Sequence, residues 1–145
     1  MTDWQYIGPH RYHIIDSLLH LETSGPINVA QANQLVDLLV FLQAQSQACG
    51  VLVDVSAGLE VPLQSRQVLA QRAGEGEHPI PIAVVGATLP LRAIVTLLLN
   101  AVRLVLRREV PLTFVKAEAD AVAWLKPAMQ ARATAILDSK RLAGK

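Results

Sequence analysis

Val51-Leu52-Val53-Asp54-Val55-Ser56 is the stretch whose reading decides the fold. Up to Asp54 it does not alternate. Apolar side chains fall on both faces, as they must where a strand lies inside a sheet covered on both sides, the usual situation in parallel sheets. Downstream, Ser56 to Val61 reads as a loop, and Pro62 suits the first turn of a short helix reaching about Ala73. Gly74-Glu75-Gly76-Glu77-His78-Pro79 is a polar turn. Ile80 to Val85 is a second strand of the same buried kind, with Pro81 tolerable near its start.

Further along, Thr88 and Pro90 mark the start of a helix running to about Arg108. Val110 to Val115 alternates, and Pro111, which has no amide to donate, places that strand at a sheet edge. Ala117 to Leu125 is helical. Lys126-Pro127 is expected to break it and leave Ala128 to Arg141 as a separate terminal helix. Upstream, Asn28 is a good N-cap for a long helix to about Ala48, with Gly50 available just past its end. Before it, Tyr12 to Asp16 and Leu18 to Thr23 form a hairpin around Asp16-Ser17, with Leu19 and Leu21 on one face. The expectation is an α/β domain: a four- or five-stranded, mostly parallel sheet with an N-terminal hairpin, covered by helices. Residues 1–127 form that domain and 128–145 a C-terminal helical tail.

At 145 residues the chain can bury one sizeable core. Hydrophobic residues are 52%, charged residues 17%, and mean hydropathy is +0.34, so the chain is ordered and has apolar surface to spare. A net charge of +1 and a pI near 8.0 argue against a dedicated nucleic-acid binder. The basic residues Arg103, Arg107, Arg108, Lys140, Arg141 and Lys145 have no interleaved aromatics, and aromatics are only 4%. Cys49 is the single cysteine and excludes an internal disulfide, which together with an N-terminus lacking a secretory layout suggests a cytoplasmic protein. The apolar run from Leu91 to Leu106 is interrupted by Arg92, Asn100 and Arg103 and is not read as a membrane span.

Within that run the polar positions Arg92, Thr96, Asn100, Arg103 and Arg107 fall in an arc of roughly 80° on a helix. The apolar remainder exceeds what one sheet face covers. Either the helix is wedged beneath the terminal segment from Ala128, or Leu91, Ile94, Leu98, Leu99, Val102 and Arg103 meet a partner protein, a second copy or a lipid.

Chemistry is sparse. Glu75 and Glu77 in the glycine-containing turn would repel phosphate. His10 and His13 point to opposite faces of an extended chain, and His20 and His78 stand isolated, so no metal site is expected. Asp54, Ser56, Glu60 and Thr88 lie at carboxyl ends of predicted strands, where open α/β sheets place ligand or partner loops. Ser65 sits in the first turn of the next helix, where a phosphate would be favoured. A hydrolase using Ser56 or Ser65 with His78 ranks behind binding, because nothing orients a histidine toward either serine.

Leu21-Glu22-Thr23-Ser24-Gly25-Pro26-Ile27 before a long helix, Val51 to Ser56, Ile82-Ala83-Val84-Val85-Gly86, and Phe114-Val115 leading to Ala121-Val122-Ala123-Trp124-Leu125 together resemble a STAS-like domain of the sporulation anti-sigma-factor-antagonist type. The resemblance implies a helix-backed sheet without a cofactor and a regulatory protein-binding role, as a homodimer or with another protein. It also implies phosphorylation at the serine nearest the family's position, Ser65. Related folds of the CRAL-TRIO type hold hydrophobic ligands, so the alternative is a binder of a lipid or other apolar small molecule.

Overall fold

The computed structural model of the chain describes residues 3–76 and 78–143; Met1, Thr2, Glu77, Gly144 and Lys145 lie outside the described residues. Strands β1 (Gln5–Ile7), β2 (His10–Ile15) and β3 (Leu18–Glu22) open the chain, followed by a two-residue strand β4 (Gly25–Pro26) and helix α1 (Val29–Gln45). Then come β5 (Gly50–Asp54), a second short strand β6 (Leu59–Glu60), α2 (Leu63–Arg72) and a 3-10 turn over Ala73–Glu75. The chain continues through β7 (Ile82–Val85), α3 (Leu89–Leu106) and β8 (Leu112–Val115), and closes with α4 (Glu118–Ala143).

The main sheet has the order β1-β2-β3-β5-β7-β8. Its first two pairings are antiparallel, and those of β3 with β5, β5 with β7 and β7 with β8 are parallel. Six strands stand where four or five were expected, since Gln5–Ile7 adds a short antiparallel edge through the turn at Gly8, whose φ is +58°. The hairpin turns at Asp16 and Ser17, both at positive φ, which is the geometry a two-residue connection between twisted strands demands. β8 is the opposite edge, as expected, with Pro111 just before it accepting from the Ile82 amide (2.9 Å). β4 and β6 pair in parallel as a separate two-stranded ladder.

Successive side chains of β5 and β7 serve opposite faces. Leu52, Ala83 and Val85 pack with Ala121, Leu125 and Met129 of α4. Val51, Val53, Ile82 and Val84 face the side on which α1, α2 and α3 lie. The terminal segment therefore does not cover α3: after β8 at the edge, the chain returns across the bare opposite face.

Three local expectations change. α1 is capped as predicted, with the Asn28 side chain accepting from the Gln31 amide (2.8 Å) and Gln31 Oε1 accepting from the Asn28 amide (3.0 Å). It ends at Gln45, however, and Gly50 opens β5 instead of capping the helix. A Cβ on Gly50 would stand 2.7 Å from Met129 Cγ, so the glycine admits α4 close to the sheet. Pro127 does not break α4. It and Ala123, the residue whose carbonyl loses its helical partner, are both exposed, so the helix passes the proline on its solvent side.

The far half of α4 is held by Arg132, which is 8% exposed. Its guanidinium donates to the carbonyls of Pro79 (3.1 Å), Gln47 (2.6 Å) and His78 (3.2 Å) and to Gln43 Oε1 (3.0 Å). All four acceptors are neutral. Burial accordingly lowers the Arg132 pKa, and burial raises that of the neighbouring Cys49 thiol against a smaller opposing effect of Arg132. Arg132→Met keeps much of the packing but leaves the Pro79, Gln47 and His78 carbonyls without this donor, and is expected to destabilise the fold by about 1–3 kcal/mol. A melting temperature within a degree or so of the parent's would show that these bonds contribute little.

Candidate functional site

The loop residues converge at the carboxyl ends of β5 and β7. Asp54 Oδ1 accepts from the Ser56 amide (2.9 Å), closing a tight turn. Gly86, at φ +81°, passes close to Ser56, so a side chain there would be strained by its backbone and would have to displace the Ser56 hydroxyl. Thr88 Oγ1 caps α3 by accepting from the Leu91 amide (3.4 Å). Ser56 and Thr88 are exposed, and Glu60 is an exposed member of the β4–β6 ladder. Each has a local structural duty.

His78 precedes β7 while Ser56 follows β5, so the two sit at opposite ends of parallel strands and cannot form a nucleophile–base pair. Ser65 is fully buried, and its hydroxyl donates to the Ile27 carbonyl at 2.6 Å. A kinase could reach it only after α2 left that contact.

Among the α3 residues singled out from the sequence, Leu91 is buried in the core and Ile94 is half-buried. Leu98, Leu99 and Val102 are half-buried and turn toward the space between α3 and the sheet. Arg103 is exposed and pairs with Glu109 (3.3 Å). The outward-facing leucines are Leu89, Leu97 and Leu104, none of them among the interface candidates.

What those inward residues line is a cleft of about 230 Å3, partly open to solvent. Val51, Val53 and Val84 form its floor. Leu35, Val36 and Leu39 of α1 form one wall, Val95, Leu99 and Val102 of α3 the other, and Leu69 of α2 lies between them. Polar side chains on the wall are already engaged. Thr23 Oγ1 donates to the Gly58 carbonyl (2.8 Å), and Gln43 accepts from Arg132. Arg72 reaches Glu75, Asp37 (2.7 Å) and Asn33, and the two carboxylates, Glu75 foremost, hold its pKa above the ordinary arginine value. His78 Nδ1 meets Arg108 Nη1 at 2.6 Å. An occupant would thus meet hydrocarbon and need bring no polar group.

On the other face lies a cluster that was legible but missed. The hairpin register sets His13 directly opposite His20, with His13 Nε2 3.3 Å from His20 Nδ1. Trp4 stacks on His13 with ring centroids 3.9 Å apart, and the Arg11 guanidinium lies 4.1 Å from the Trp4 ring. Counting outward from the Asp16-Ser17 turn gives this pairing, so His20 is not isolated. His10 is buried on the opposite side, where Nδ1 accepts from the Ser24 amide (2.9 Å) and Nε2 faces the Pro26 carbonyl (3.1 Å), which fixes the Nε2–H tautomer. Among the described residues no group of three potential ligands is placed to hold a metal ion.

Two outcomes follow. Burial pushes the His20 imidazole below its ordinary value of 6.5, Glu118 pulls it back up and His13 adds to the depression. The unfolded chain therefore binds this proton more readily, so stability should fall as pH drops through about 6.5 toward the lowered folded value and be unaffected above it. Melting temperatures across that range check this, and His20→Gln should flatten the profile; an unchanged slope would exonerate His20. For Ser65, Ser65→Ala should cost about 1–3 kcal/mol by stranding the Ile27 carbonyl, and Ser65→Asp more, since it buries a charge. A phosphomimetic as stable as the parent would contradict the buried placement.

No protein-family model and no curated protein matches the sequence. A crystal structure from Thermotoga maritima, provisionally described as an anti-sigma factor antagonist, is similar at a TM-score of 0.50 and 14% identity, covering 79% of this chain and 92% of that one. At that identity the likeness is one of fold. Its coverage, with the mostly parallel sheet and its backing helices, gives the assignment: the chain has the STAS-like fold.

Proposed function

We propose that this chain is a non-enzymatic, cytoplasmic binding module that holds an apolar small molecule, or one chain of a lipid, in the cleft between the sheet and α1, α2 and α3. The observation that carries the reading is the cleft itself. Its volume of about 230 Å3 exceeds the ~150 Å3 of a dry engineered cavity that accepts benzene, and approaches the ~300 Å3 at which small-molecule pockets begin. Because the cleft is partly open, water can enter it but finds few polar partners on its hydrocarbon walls, and an apolar occupant would take that surface out of water.

A second reading, a regulatory module whose partner is a protein, is supported by the fold shared with the Thermotoga protein. Phosphorylation of Ser65 would belong to that reading and requires α2 to move. The two readings are compatible if occupancy of the cleft sets the position of α3.

The neutral dye N-phenylnaphthylamine offers a direct test. It should bind once per chain with a rise in fluorescence. Leu99→Trp or Val102→Trp, which fill the cleft, should weaken binding about tenfold or more, while a change at exposed Leu104 leaves it alone. Undiminished binding by both tryptophan variants, with circular dichroism intact, would place the dye elsewhere.

A further inference from the structure

α3 carries an outward face that the cleft does not use. Leu89 is 78% exposed, Leu97 62% and Leu104 72%, and of the eighteen residues of α3 only Leu91 and Val95 are buried, although it is the one described helix apolar enough to pass for a membrane span. At 100° per residue the three leucines fall within about 80° of one another, and the exposed Arg103 and Arg107 occupy the adjoining arc, while Arg92 on the same side is half-buried with its guanidinium 5.4 Å from the Phe114 ring. From Leu89 to Glu109 the chain has four arginines, Arg92, Arg103, Arg107 and Arg108, and Glu109 is its only acid.

We infer that α3 docks this protein on an anionic membrane surface, its leucine ridge sunk among the acyl chains and its arginines at the headgroups. Surface docking fits better than spanning. Eighteen residues make a helix of about 27 Å, short of the ~30 Å hydrocarbon core, and Arg92, Asn100 and Arg103 would lie within it. An exposed apolar ridge beside a one-signed basic edge is the pattern of an interfacial helix. It fits less well as a contact with a second copy. In a two-fold pairing each helix meets its own charge set, so four arginines and one glutamate would face the same five. A bilayer carrying phosphatidylglycerol complements that charge. The inference does not rest on occupancy of the cleft, although α3 stands between cleft and bilayer and docking would bring the two together.

Flotation of the full-length protein with vesicles tests it. Vesicles of phosphatidylcholine and phosphatidylglycerol should carry the protein upward, vesicles of phosphatidylcholine alone should not, and high salt should release it. The double variant Leu97→Glu and Leu104→Glu, changed only at exposed positions, should lose flotation by roughly tenfold or more while dye binding persists. Arg103→Gln with Arg107→Gln should weaken binding to the anionic vesicles by about tenfold. Absence of flotation would overturn the inference, as would flotation that survives both double variants. A dimer dissolved by the glutamate variant, with no vesicle binding by the parent, would also overturn it and assign the face to a second copy.

Discussion

Everything in this molecule follows from strands that are apolar on both faces. β5 and β7 offer no side to water, so the sheet is stable only if both faces are covered, and the chain covers them unequally. One face receives a single long helix. α4 lies close because Gly50 has no side chain and Ala83 and Ala121 are small, and Leu52 and Leu125 are left fully or almost fully buried. Its far half is kept in place by a buried guanidinium that satisfies backbone carbonyls from two separate loops.

The other face is covered by three shorter elements that do not close over it. α1 and α3 flank the central strands, α2 bridges them, and Arg72 ties α2 to α1 through Asp37 and Asn33. Between them the valines of β5 and β7 look into open, apolar space. A tightly packed face and a hollow one on the same sheet divide the work between stability and binding. The division also explains why α3 is so exposed: its inner side meets the cleft more than the core, and Leu89, Leu97 and Leu104 on its outer side are left open to solvent.

The order of elements was readable in the sequence because the signals were local. Two-sided apolar strands, the capping pair Asn28 and Gln31, the turn at Asp16-Ser17 and the edge-marking Pro111 each act over a few residues. The errors came where a distant element decides the outcome. Pro127 reads as a break, but its surroundings in α4 face water. Gly50 reads as a helix end, yet its smallness serves contact with Met129, far along the chain. Arg132 looks like a surface arginine in an alanine-rich helix, and only the folded arrangement brings the Pro79, Gln47 and His78 carbonyls to it. The pairing of His13 with His20 needed only a count of register outward from the turn. The cleft was unreadable in principle, since a gap between helices is a property of three packed surfaces and of no residue singly. For the same reason the side of α3 that faces the cleft could not be told from the side that faces outward.

The central claim is that the hollow face is occupied by an apolar molecule. Native mass spectrometry of protein freshly purified without detergent, set beside its denatured mass, measures this most directly. The account predicts an added non-covalent mass, absent after denaturation and recoverable in an organic extract. A native mass equal to that of the bare chain, or of two bare chains, across all charge states would contradict it and leave the protein-partner reading in its place.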